Sequence, residues 1–140
     1  MATLTINRSD ISAMLLAEST NAARTFVRND GVSEFEGVAI DSQAEESLAG
    51  AFAEAFAKLG EKMHRFISGG NASSTAITFS FKASVLPTGI TENIKMYIVD
   101  YMMARWLSNV RPDYQQQYAD RANFEMDDLL RKLYKKEPPV

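Results

Sequence analysis

Apolar residues recur every three or four positions along most of this chain and switch once to strict alternation. The longest helical pattern runs from Ile90 to Tyr134, broken once at Asn109-Val110-Arg111-Pro112. Its first half, ENIKMYIVDYMMARWLSN, carries Ile94, Met96, Tyr97, Ile98, Val99, Tyr101, Met102, Met103, Trp106 and Leu107. These cover more than one stripe, so protein should wrap this helix on most sides. Pro112 suits a first helical turn, where its missing N–H costs nothing, and Asp113 sits beside the positive helix end. The second half spaces Tyr114, Tyr118, Ala122, Met126, Leu129, Leu130 and Leu133 by threes and fours, with Asp120, Arg121, Asp127, Asp128, Arg131 and Lys132 mostly opposite. A short break makes the two helices antiparallel neighbours.

Before that hairpin, residues 2–8 alternate weakly and read as a short strand or an extended arm. Ser9 or Asp10 caps a helix with Ile11, Met14, Leu15, Ala22 and Phe26 near one face and Glu18 in its middle. Asn29-Asp30-Gly31 ends it near Arg28. Residues 32–40 suggest an extended segment. Ser42 and Glu45 form a capping box for an alanine-rich helix carrying Leu48, Phe52, Ala55, Phe56, Leu59, Met63, Phe66 and Ile67. Gly60 predicts either close packing by a neighbour or a bend, and Ser68-Gly69-Gly70-Asn71 should stop the helix. In residues 75–85 the period changes: Ile77, Phe79, Phe81, Ala83 and Val85 alternate with polar residues, as in a half-buried strand. That strand needs partners, with residues 2–7, residues 32–40 and a second copy of the chain as the candidates. The pattern predicts a mainly α, four-helix bundle-like single domain over residues 1–140 with a small β element.

Composition changes little in this picture. The chain has 140 residues, is 46% hydrophobic and 24% charged, and carries a formal net charge of -3. Such a balance disfavours general binding to nucleic acid through a basic surface. With no cysteine, disulfides, thiolate metal sites and cysteine nucleophiles are excluded. The N-terminus lacks the apolar core of a signal peptide, and no stretch is apolar enough to span a membrane.

Candidate chemistry is sparse. His64, the single histidine, reads as a solvated or helix-end side chain. Glu45-Glu46 and Asp127-Asp128 are adjacent residues on helices and diverge, so neither pair converges on one atom. Asp100 lies inside the most apolar helix and must be paired if buried, with Arg121 or Lys132 as partners. Otherwise it lies on the least apolar edge, with Asn93 and Ala104. No phosphate loop, nucleophile elbow or metal-binding motif occurs. No catalytic, cofactor-binding or metal-ligating residue is expected. The core and interface candidates are Phe79, Phe81, Asp100, Trp106, Leu107, Tyr114 and Tyr118.

With its alternating strand, Pro-Thr-Gly turn, Trp106-Leu107 helix end and the Tyr114, Tyr118, Ala122 series behind a short break, the C-terminal half resembles small structural proteins of phages and prophages of Bacteroides-type gut bacteria. It is similar in plan to the head–tail connector (adaptor, neck) proteins of long-tailed phages. The likeness rests on an alternating strand, a Pro-Thr-Gly turn, and a helix ending Ala104, Trp106, Leu107. After a short break follow Tyr114, Tyr118, Ala122, Leu129, Leu130, Lys132 and Leu133. The resemblance extends more loosely over the N-terminal half. It implies a virion neck subunit, made in the bacterial cytoplasm. Such a subunit forms a homo-oligomeric ring, commonly twelve-fold, between portal and tail proteins. DNA passes through the channel without sequence-specific binding, and no membrane is involved. It transfers no catalytic residue. A tail-completion or tail-terminator protein has the same cues. Two other classes remain open: a small DNA-binding regulator using Arg111, Lys132 and Lys136, and a small-molecule site around Trp106 and Asp100.

Overall fold

The computed structural model describes residues 2–25, 48–110 and 112–136. Its elements in chain order are β1 (Ala2–Asn7), α1 (Arg8–Thr25), α2 (Ala49–Lys62), β2 (Ile67–Ala72), β3 (Ala76–Phe81), α3 (Ile90–Val110) and α4 (Pro112–Lys136). The protein is thus mostly helical with one small antiparallel sheet of order β1-β3-β2. Residues 32–40 and the capping box at Ser42 and Glu45 lie outside the described residues.

α3 is the centre of the structure. Ile90, Ile94, Tyr97, Ile98, Val99, Met102, Met103 and Leu107 are all buried and point in most directions around the helix, as the sequence predicts. α4 packs along its length, and α1 and α2 also lie against it. Asn93 near the start of α3 meets Asp128 and Lys132 near the end of α4, so the two run antiparallel. α4 turns Tyr118, Ala122, Met126, Leu129 and Leu133 inward, one stripe at helical spacing.

The sheet bears out one of the expected strand partners, residues 2–7, and corrects the prediction in the strand's extent and its second partner. β3 covers residues 76–81, not 75–85, and Val85 is 65% exposed. Its partners both come from within the chain. Residues 2–7 pair in register, Leu4 opposite Phe79 and Ile6 opposite Ile77, so the N-terminal segment is a strand. The other partner, β2, occupies Ser68-Gly69-Gly70-Asn71, which the sequence reads only as a helix stop. α2 ends at Lys62; Met63 and Phe66 stay buried in the turn behind it, and Ile67 opens the strand. Those three continue the helical spacing by coincidence, because a turn and a strand start also bury alternate residues.

Glycine explains why β2 accepts this place. Gly70 lies opposite Phe79, whose ring stacks on Phe56 of α2 with centroids 5.2 Å apart. A Cβ at Gly70 would come within 3.1 Å of the Phe79 ring and 3.4 Å of Phe56. At Gly69 it would meet nothing within 4 Å. Gly60, by contrast, sits inside α2 with open space around it, so the close packing by a neighbour that was one expected reason for a helical glycine does not hold. No helix among the described residues is long and apolar enough to cross a membrane.

Phe79 and Phe81 are each 1% exposed on the sheet's inner face. Phe79→Asp or Phe81→Asp should cost more than about 4 kcal/mol, a buried unpaired charge added to lost packing. Thermal or denaturant melts equal to the parent would show that the strand is misassigned. Gly70→Val should cost about 1–3 kcal/mol through overpacking on Phe79, whereas Gly69→Ala should be neutral or slightly stabilising. Equal effects in the two variants would contradict the Phe56–Gly70–Phe79 contact.

Candidate functional site

The polar groups of interest gather along the seam between α3 and α4. Two clusters follow one another down it and a third joins α3 to α2, each built where a helix places polar residues at spacings of three, four or seven.

The first cluster lies at the start of α3. Asn93 is buried, and its Nδ2 donates to Glu125 Oε2 at 2.7 Å and Asp128 Oδ2 at 3.0 Å. Its Oδ1 accepts from Lys132 Nζ at 2.8 Å. Lys132 also pairs with Asp128 at 3.0 Å, and Arg131 bonds the other Asp128 oxygen. Lys132, then Arg131 and Asn93, hold the Asp128 carboxyl down to about 2. Gly89 leaves room for the Lys132 ammonium: with φ of 90°, it turns the chain into α3, and a Cβ there would lie 3.1 Å from Nζ. The Asp127-Asp128 pair diverges as predicted, since Asp127 is exposed while Asp128 faces this cluster.

Two turns further along is Asp100, only 1% exposed. Its Oδ1 has no hydrogen-bond partner, and the nearest cation is Arg121 Nη2 at 3.8 Å. This bears out Arg121 as the expected partner. Asn93, Asp100 and Ala104 share one edge of the helix, and all three are buried. Arg121 Nη1 and the Tyr118 hydroxyl both donate to Glu18 Oε1 of α1, each at 3.2 Å. The Arg121 guanidinium also lies over the Tyr118 ring, 4.8 Å from its centroid. Glu18 therefore falls amid the apolar residues of α1 because its partners reach it from α4. Burial raises the Asp100 carboxyl to about 6, Arg121 opposing while Glu18 and Glu125 add to the rise. Burial, then Glu18, also moves the Tyr118 phenol up to about 12.

The third cluster joins α2 to α3. Tyr101 donates to Glu54 Oε2 at 2.8 Å, and Arg105 pairs with the same oxygen. Tyr101's hydrogen bond and then Arg105 keep the Glu54 carboxyl below its usual value, against the opposing effect of burial. Lys58 Nζ lies 5.4 Å from the Tyr101 ring centroid. Beside this cluster is an open groove of about 280 Å³, with Tyr97, Tyr101, Lys58, Arg105, Gln115 and Asn123 among its lining. Neither Trp106 nor Asp100 lines it, so the small-molecule site suggested around those two is not where this groove lies.

The predicted core and interface residues thus separate into two places. Phe79 and Phe81 belong to the sheet. Asp100 and Tyr118 meet around Arg121, Leu107 is fully buried, and Trp106 and Tyr114 are partly buried in the hairpin. His64 is exposed, with Nδ1 2.8 Å from the Glu61 carbonyl oxygen, as expected of a helix-end histidine. Sequence reading missed Asn93, Glu125, Asp128 and Lys132 as a cluster. Only the seven-residue spacing of Asn93 and Asp100 hinted at a polar stripe. Among the described residues, no three histidine or carboxylate groups converge to hold a metal ion. No protein-family profile, curated protein or solved structure matches this chain.

The folded chain retains at Asp100 a proton that the unfolded chain releases between about pH 4 and 6. Stability from this group is therefore fullest below about pH 4 and falls as pH rises through 6, by on the order of 3 kcal/mol in all. Asp100→Asn should remove that slope, so its advantage over the parent should grow from pH 5 to 8 and reach about 1–3 kcal/mol. Urea unfolding of both proteins across that range checks this; a difference independent of pH would refute it.

Proposed function

We propose that this chain is a non-enzymatic structural subunit of a phage virion. In this reading it is a head–tail connector, or adaptor, forming a ring at the portal–tail junction. The observation that carries the reading is the pattern of its C-terminal helices. Ala104, Trp106 and Leu107 end α3; Tyr114, Tyr118, Ala122, Leu129, Leu130, Lys132 and Leu133 follow along α4. That is the arrangement in which the chain resembles connector proteins.

Three further features support it. The polar clusters of the seam tie helices to one another, which is work for a scaffold. The described helices also leave Phe124 66% and Leu16 51% exposed, apolar surface of the kind that subunits and portal or tail proteins cover. A net charge of -3 suits a channel through which DNA slides without sticking. A tail-completion or tail-terminator role in the same neck has the same supports.

Two measurements test the proposal. Sedimentation and negative-stain imaging of the purified protein, alone and with the portal protein of the same genome, should show a closed ring or a complex with the portal. No shift of duplex DNA is expected in low-salt gels. A protein that stays monomeric, ignores the portal and retards DNA in a salt-dependent way would instead be a DNA-binding regulator. A gene with no portal or capsid genes beside it would count against the virion reading as well.

A further inference from the structure

Arg121 is a single guanidinium set between two carboxylates on different helices. Its bond to Glu18 Oε1 of α1 is 3.2 Å, long for a charge-assisted hydrogen bond. Its other nitrogen stops 3.8 Å from Asp100 Oδ1 of α3, beyond hydrogen-bond reach, and that buried oxygen has no other partner. The cation stands between two positions and makes a tight bond in neither. We infer that Asp100 is a proton-controlled latch on α1: neutral, it leaves Arg121 to Glu18 and α1 held to α4; ionised, it draws the guanidinium away and loosens α1.

The charges around Asp100 support a choice between two states. Arg121 and Glu125 face it from α4, and Glu18 from α1. Glu125 is engaged by Asn93, and Arg105, further along α3, is held by Glu54 of α2. Among the described residues, Arg121 therefore remains to answer an ionised Asp100. With both Asp100 and Glu18 charged, one cation serves two anions, and the more deeply buried anion gains more from a partner. A movement of about 1 Å by the guanidinium would turn the 3.8 Å approach into a hydrogen bond. Its loss falls on α1. Ile11 and Leu15 fasten the first half of that helix, and Glu18, next to buried Ser19, ties it further along through Arg121 and Tyr118. The burial that lifts the Asp100 carboxyl puts the change within reach of ordinary solution conditions.

Native-state hydrogen exchange on the full chain tests the latch, with rates corrected for the intrinsic effect of pH. Between pH 5 and 8, protection of α1 should fall about tenfold relative to α3, the equivalent of one unit of pK coupling. Asp100→Asn should abolish that step and leave α1 protected at both pH values. Glu18→Gln should leave α1 equally loosened at both. A parent protein whose α1 and α3 respond alike to pH would overturn the latch, as would a step that survives in Asp100→Asn. Should Asp100→Asn fail to fold, a step surviving in Glu18→Gln overturns it just as well.

Discussion

The whole arrangement depends on burying α3 from almost every side. A helix apolar around most of its circumference cannot remain in water, and no single neighbour can cover it. α4 covers one side along its length, while α1 and α2 cover others. The sheet is a secondary layer, held through Phe79, Phe56 and the small residue at Gly70 that lets those rings meet. A polar residue on α3 must then be satisfied from whichever neighbour faces it. Asn93 is satisfied fully, by three side chains of α4. Asp100 is satisfied only in part, and the Glu18–Arg121–Tyr118 cluster follows from that shortfall.

The helices were legible in the sequence because their spacing is set by their own backbone period. α3 and α4 match it closely, although Asn109 and Val110, read as part of the break, belong to α3 and Pro112 opens α4. β3 was legible for the same reason, and β1 was readable as one of its candidate partners. β2 was not. ISGGNA has neither β-branched alternation nor an apolar face, and it is a strand because β3 and the Phe79 ring impose it. The seam clusters were illegible in a different way. Arg121, Asp128 and Lys132 fall on the polar side of α4 by simple patterning. They are half-buried because they stand on the flank facing α3, where the long side chains of Arg121 and Lys132 reach back to Asp100 and Asn93 and Asp128 accepts from Asn93. Glu18 looked like a flaw in an apolar face until its partners on another helix were in view.

These polar contacts also bear on how the chain would serve as a scaffold. Apolar packing alone lets helices slide against one another with small loss, because many registers bury similar area. Asn93 answered by Glu125, Asp128 and Lys132 permits one register between α3 and α4. Glu54 meeting both Tyr101 and Arg105 does the same between α2 and α3. A subunit that must present the same surface to many neighbours benefits from such fixed alignment.

The pairing of β1 with β3 has a consequence for synthesis. Ala2 and Phe81 are opposite each other, so the first strand emerges long before its partner exists. At about 5–20 residues per second, a ribosome takes on the order of several seconds to bridge that gap. Through that interval β1 travels with its backbone groups and Ile6 uncovered. The sheet cannot close until the central strand has arrived, and α3, which follows that strand in the sequence, is made later still.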